Sequence, residues 1–333
     1  MLRPLQRAGL VNVPGLDDVI MQMSGALGLY LLPDGSLAHF NDSTDGVAPP
    51  PQTLMAEAGC ASAPADAKGG ALFAPAGLFV YSGGKYHCVV VCAGPSPPAN
   101  PAHAHAAAGS FILHWGGRPL IVDPGCSTYA AGEMRNYERG TRSHNTITVD
   151  GHDQSEMWGR YRIARRAKVS RQSFVDASGL RHLIVTHDGY RRLPGRVTHR
   201  RHFVFGEEFL IIADRLTGRG DHRIEMLLTF APGVEAARSG AKWLLQNQGE
   251  PAALFLAGPT AAQPVSARVA RGFGASCETH GLQLSARAEL PWWGLAIIGP
   301  PSLDVALPDA GGNVAVEGQT FNFAGSETPG RAT

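Results

Sequence analysis

A large antiparallel β-sandwich behind a short helical segment is the fold class that this sequence predicts. Three observations carry it. Short apolar runs recur from about residue 77 to residue 298, each bounded by Gly, Pro, Asn or Asp. Glycine (41) and proline (24) are frequent, which suits many strands joined by turns better than a helical bundle. The clearest helical periodicity lies near the N-terminus, outside that region.

Leu16, Val19, Ile20, Met23, Leu27 and Tyr30 recur at three- and four-residue spacing and predict a helix over 16–30. The turn Leu32-Pro33-Asp34-Gly35 ends it, and a short helix over 52–59 follows a triple proline. Residues 61–70 read as an Ala/Pro/Gly-rich linker, so the chain divides into 1–60 and 61–333. Residues 77–81 and 86–92 read as strands of a hairpin turning at 82–85. Further strands are expected at 109–115, 118–122, 145–149, 161–170, 180–187, 197–205, 208–215, 222–230, 242–246, 252–256, 265–272, 280–287 and 293–298. Regular short strands at this density predict a sandwich.

Composition bounds the function. A net charge of +1 gives no bulk attraction to nucleic acid or to an anionic membrane, although a local arginine cluster can still hold a polyanion. No apolar run approaches the length of a membrane span. The first residues, MLRPLQRAGLVNVPGL, are basic but hold no continuous apolar stretch, so no export signal is read there. Five cysteines without a C-x-x-C pair argue against a cysteine zinc site and a full disulfide framework, and Cys88 and Cys92 read as small core residues.

Chemically dense residues concentrate between His103 and Trp158: HAHAAAGSFIL at 103–113, GRPLIVDPG at 117–125, and RGTRSHNTITVDGHDQSEMW at 139–158. If the first segment is extended, His103 and His105 point to one side. Asp123 and His144 each lie at a strand end, and adjacent antiparallel strands can bring these positions together. Two imidazoles and a carboxylate suit Zn²⁺ with a fourth position open to water or substrate.

These segments resemble the C-terminal sandwich of the heparinase II/III-like family. The shared pattern is roughly H-x-H-x-D-x-x-S-F, then G-x-x-L-(I/V)-V-D-P-G, then R-S-T-x-x-H-N-T-(V/I)-x-V-D-G-x-D-Q-S-E. LPDGSLAHFNDS at 32–43 is similar to the segment that closes the family's helical domain. The resemblance implies a supersandwich-like β domain preceded by a short remnant of an α/α toroid. It implies His105, Asp123 and His144 as ligands of one Zn²⁺, with His103 facing substrate. Two departures stand out: Ala107 occupies the place of the aspartate after the second histidine, and Arg139-Gly140-Thr141 replaces Arg-Ser-Thr. Ala107 removes a partner of the kind that orients metal-binding histidines.

The reaction implied is β-elimination on a uronic-acid polysaccharide. Its C5 proton is acidic only once the neighbouring carboxylate is neutralised; a base then removes the proton and an acid protonates the leaving oxygen. His103, Arg139 and Tyr137 are the catalytic candidates in this chain. Arg135, Arg142, Gln154 and Glu156 are candidates to hold the saccharide. Asn145 and Asp150 read as residues that stabilise turns and strand ends. The family's tyrosine and histidine acid/base pair belongs mainly to the toroid, so the expected partners are an acidic polysaccharide and a toroid domain. The resemblance also implies a periplasmic or secreted enzyme. Two other readings stay open: a non-catalytic, metal-stabilised carbohydrate-binding module, and a metal-assisted hydrolase with zinc-bound water as nucleophile.

Overall fold

The computed structural model describes residues 2–59, 69–73, 77–95, 99, 101–259, 261–308 and 312–323. Most of the predicted linker, at 61–68, and Cys60 lie outside the described residues. The N-terminal helices are Leu2–Arg7, which the sequence reading missed, Leu16–Gly28 and Pro51–Ala58.

Strands dominate from residue 71 onward. A five-stranded antiparallel sheet runs from Ala71–Phe73 to Arg118–Ile121, and contains the predicted hairpin of Leu78–Ser82 and Tyr86–Val91. An eight-stranded sheet holds Val169–Val175, Arg181–His187, Thr198–Phe205 and Leu210–Thr217 at one end and Glu235–Ser239 at the other. A four-stranded sheet pairs Ile147–Val149, Asp221–Thr229, Ala275–Glu289 and Ala261–Gly272.

The main core forms where the eight-stranded sheet faces the other two. Phe79, Val90, Phe111 and Leu113 from the five-stranded sheet meet Phe203, Phe205 and Ile212 from the eight-stranded one, and Ile147, Ile224 and Leu284 from the four-stranded one. The eight-stranded sheet is covered on its other face as well. Val204, Ile211, Phe255 and Ile297 pack under Val314, Val316 and Phe321. That second cover explains why these strands read as unbroken apolar runs rather than alternating ones. Leu32, Ala38 and Phe40 likewise cover the back of the five-stranded sheet against Val80, Val89 and Ile112. The covering segment 31–45 therefore reaches the sandwich directly, and Asn41 and Asp42 enter the candidate site with it. Cys88 and Cys92 are free and buried, as small core residues are.

Two differences from the sequence reading matter for the site. A helix, Glu133–Arg139, lies between the strands that carry Asp123 and His144, where no element was expected. The stretch expected as one strand at 161–170 is split into Arg162–Ala164, in a small two-stranded ribbon, and Val169–Val175. None of the described helices is long and apolar enough to cross a membrane.

Candidate functional site

The site is organised by the carboxylate of Asp42, to which the sequence pattern assigns no role. Asn41 adopts a left-handed φ of 57°, and its Oδ1 accepts a hydrogen bond from the His105 backbone N–H at 3.0 Å. The Asp42 N–H donates to the His103 carbonyl at 3.2 Å. Segment 41–42 is thus clamped to segment 103–105 along the backbone. The Asp42 carboxylate then accepts three cationic or imidazole donors. His103 Nδ1 lies 2.9 Å from Oδ2 and His105 Nε2 lies 2.9 Å from Oδ1. Arg135 grips the same carboxylate bidentately, with Nη1 on Oδ1 and Nη2 2.7 Å from Oδ2. Burial alone would raise the Asp42 pKa, but hydrogen bonds and charge from His105 and Arg135 outweigh it and hold the carboxyl well below the usual range.

Three imidazoles are therefore held in defined ways. His103 is the exposed one: its side chain is 59% accessible, and it ends the 3₁₀ turn Pro101–His103 rather than lying on a strand. Its Nδ1 is held on the Asp42 carboxylate, and its Nε2 makes no hydrogen bond to a described residue. His105 is fully buried, and burial lowers its pKa to about 4. It is neutral at pH 7, and by donating Nε2–H to Asp42 it keeps its lone pair on Nδ1. His144 donates from Nδ1 to Asp123 Oδ2 at 2.8 Å. His105 Nδ1 and His144 Nε2 are both buried without a hydrogen-bond partner, and the two rings lie 5.4 Å apart between centroids.

Two buried ring nitrogens with no partner are what a bound cation would satisfy, and each ring has the carboxylate on its far nitrogen that orients metal-binding histidines. Asp42 supplies, from far upstream, the orientation that Ala107 does not. The donor set fits zinc in its two imidazoles. Asp123, the third residue expected as a ligand, is hydrogen-bonded to His144 and receives the Gly125 N–H on Oδ1 at 3.2 Å. Among the described residues, no group of three His, Cys, Asp or Glu side chains is gathered so as to hold a metal ion as it stands.

The other candidates are distributed differently from what their motif suggested. Arg135 and Arg139, expected to face substrate, are interior, with 0% and 1% of their surface exposed. The first is spent on Asp42. Arg139 Nη1 donates to the Gly159 carbonyl at 2.9 Å and Nη2 to that of Ala104 at 3.4 Å, and burial lowers its pKa to about 10. These arginines lock the loops together and present no guanidinium to a sugar. Gln154 is also buried, with Oε1 and Nε2 both bonded to the Ala108 backbone. Glu156 is half-buried and pairs with Arg165 at 3.3 Å and Arg192 at 3.7 Å. Asn145 donates to the Phe111 and Val122 carbonyls and accepts from the Thr229 N–H, stapling the five- and four-stranded sheets together beside His144. Tyr137 and Arg142 line a separate hollow on the four-stranded sheet.

The aromatic rings beside His103 are Tyr129, 5.7 Å away, and Tyr161, 6.1 Å away, neither of which the sequence reading singled out. Their rings lie 5.9 Å apart, Arg135 sits 5.1 Å beneath Tyr129, and Phe273 extends the shelf at 4.8 Å. Tyr161 and Phe273 are 40% and 45% exposed, so the shelf faces solvent. An exposed imidazole beside phenols and apolar ring faces can exchange a proton with a saccharide stacked on those rings.

Comparison with known proteins agrees with this architecture. A profile of the family described as "Heparinase II/III-like, C-terminal" matches residues 65–281. A comparison with curated protein sequences gives no match. Among solved structures, a heparinase III superposes with a TM-score of 0.73 at 15% identity, over 92% of this chain and 54% of its own. The heparan sulfate lyase HepC of Pedobacter heparinus superposes with a TM-score of 0.69 at 16% identity, over 95% and 54%. A second heparinase III, the BT4657 gene product, gives 0.69 at 19%, over 91% and 52%. The chain spans about half the length of these proteins, and at such identities the likeness is one of fold.

Proposed function

The chain belongs to the heparinase II/III-like family, a family of polysaccharide lyases, and from that premise we propose that it cleaves uronic-acid-containing polysaccharide by β-elimination, with His103 as the residue that moves the proton. The observation that carries the reading is the Asp42–His103 pair: an exposed imidazole fixed at Nδ1 by an ionised carboxylate, its ring beside a shelf of aromatic rings. His103 removes the C5 proton. Tyr129, beside it, is the nearest phenol for the leaving oxygen. Tyr137, the phenol expected in that role, opens into a different hollow.

Zinc is part of the proposal. His105 Nδ1 and His144 Nε2 would hold it, with Asp123 adjacent to His144. Bound there, the ion would supply positive charge behind His103 and rigidity to the loops that carry it. The second wall of the cleft is proposed to be a helical toroid, and a substrate polymer outside the cell makes the periplasm the proposed location.

A second reading is favoured by one observation. The shelf of Tyr129, Tyr161 and Phe273 suits sugar stacking with or without chemistry, which is what a non-catalytic binding module would need. One assay separates the two: absorbance of the unsaturated uronate product on a panel of uronic-acid polymers, with and without chelator, using the chain together with a family toroid. Product formation is expected. Saccharide binding without any unsaturated product would establish the module instead.

A further inference from the structure

We propose that the protein has a second binding site for acidic saccharide on the outer face of the four-stranded sheet, with Arg142 as the residue that holds the anionic group. The proposal rests on the reading that the protein handles acidic saccharide and extends it to a surface away from His103.

The hollow follows from strand alternation. In Ile147–Val149 and Asp221–Thr229, Ile147, Val149, Ile224 and Met226 point into the main core. Thr148, Glu225 and Leu227 are left on the opposite face. Gly281, paired with Val265, has no side chain there. A Cβ at that position would lie 2.8 Å from Leu227 Cδ1, so the floor is low where Leu227 lies across it. The hollow has a volume of about 490 Å³ and is walled by Tyr137, Arg142, Ser266 and Gln283. That volume is in the range of sites that enclose small ligands, roughly 300–1,000 Å³.

Arg142 is presented from a rigid base. It is the exposed middle residue of the 3₁₀ turn Thr141–Ser143, whose other two side chains are buried. Thr141 Oγ1 donates to the Ala106 carbonyl at 2.9 Å, and its N–H donates to Asp153 Oδ1 at 2.7 Å. Ser143 Oγ donates to the Tyr137 carbonyl at 2.6 Å. The guanidinium itself makes no hydrogen bond or ion pair to any described residue. The neighbouring arginines differ: Arg223 pairs with Glu225 at 3.3 Å and Arg268 with Glu278 at 3.2 Å. A guanidinium that makes no hydrogen bond, carried on that base, is a fork for a carboxylate or sulfate.

The rest of the lining sets the ligand class. The lining holds two cations, Arg142 and the Glu225-paired Arg223, among hydroxyl, amide and aromatic groups. A nucleic acid or polyphosphate would need several cations in a row. A sugar carrying one acidic group, with hydroxyls for Ser266 and Gln283 and a ring face for Tyr137, matches this lining.

The test titrates the full chain with a heparin octasaccharide, and with neutral cellohexaose as control, by calorimetry and by amide hydrogen exchange. The octasaccharide is expected to protect strands 146–149 and 281–285. Arg142→Gln should weaken that binding about tenfold or more and remove that protection, as the loss of a charge-assisted contact would. The same protection should persist in His103→Ala. Protection confined to the surroundings of residues 42, 103 and 129, or protection of the sheet that Arg142→Gln leaves unchanged, overturns this site while the proposed function stands. Equal binding of cellohexaose overturns the acidic class. Absence of binding anywhere also overturns this site, and leaves the proposed function to its own assay with the toroid and the panel of polymers.

Discussion

At the scale of single residues, Asp42 decides how the site works. Its carboxylate collects Arg135, His103 and His105, and burial makes each contact dependent on the others. Asp42→Asn should cost about 3–5 kcal/mol in a denaturant titration, because the buried Arg135 guanidinium loses its counter-charge. A cost under about 1 kcal/mol would show that Arg135 finds another partner. The zinc proposal is tested at the same scale. Purified protein should carry about one zinc per chain by elemental analysis, His144→Ala should lose it, and His103→Ala should keep it. No stoichiometric transition metal, even after zinc soaking, would sink the proposal. The histidines were legible in the sequence because they sit in a specific motif. Asp42 was quoted in its motif yet given no role, because its partners lie 61 and 63 residues away and only the fold brings them together. Arg135 and Arg139 were misplaced for a related reason. Arginine is ordinarily a surface charge, and nothing local in the chain shows that these two are paid for by a buried carboxylate and by loop carbonyls.

At the scale of elements, the site loops rest on the eight-stranded sheet through a buried polar chain. His187 Nε2 meets His199 Nδ1 at 2.9 Å, His199 Nε2 meets Asp214 Oδ1 at 2.6 Å, and Arg201 bridges Asp214 on two nitrogens. Arg201 Nη1 then donates to the Gly109 carbonyl at 2.9 Å, shortly after the His103–His105 segment, and to the Asn145 carbonyl at 2.6 Å, immediately after His144. Sequence periodicity placed the strands Thr198–Phe205 and Leu210–Thr217 well, but could not show that charged positions in them face inward. The buried histidines make stability pH-dependent. Burial lowers the pKa of His87 and of His202 to about 4, against roughly 6.5 in an unfolded chain. A lowered folded pKa means that the stabilisation is complete above about 6.5 and is lost as pH falls toward 4. Arg201 and His199 hold Asp214 well below the usual carboxylate range against the effect of its burial, so its contribution is lost only below about pH 4. The denaturant midpoint should therefore fall between pH 7 and pH 4.5, each buried histidine contributing roughly 1–3 kcal/mol. A midpoint flat across that window would contradict the burial of these rings.

At the scale of the whole molecule, the sandwich was legible because turn residues and short apolar runs repeat along most of the chain. Its third layer was not, since the covering strands Asn313–Val316 and Gln319–Asn322 are too short to stand out. Sequence also could not show the helix Glu133–Arg139, whose inward face is arginine and glutamate rather than apolar. The proposed chemistry belongs to this scale as well, because β-elimination needs a neutralised carboxylate, a base and an acid around one sugar. This chain brings His103 and Tyr129 together beside the buried imidazoles of His105 and His144, and it spans about half the length of the solved lyases it resembles in fold. The most direct test is kcat/KM for unsaturated product, measured with the chain and a family toroid together, for the native sequence and for His103→Ala. The account predicts a loss of about 10²–10⁴-fold with zinc content and melting temperature unchanged. Turnover within about threefold of the native value would contradict it and remove His103 from the chemistry.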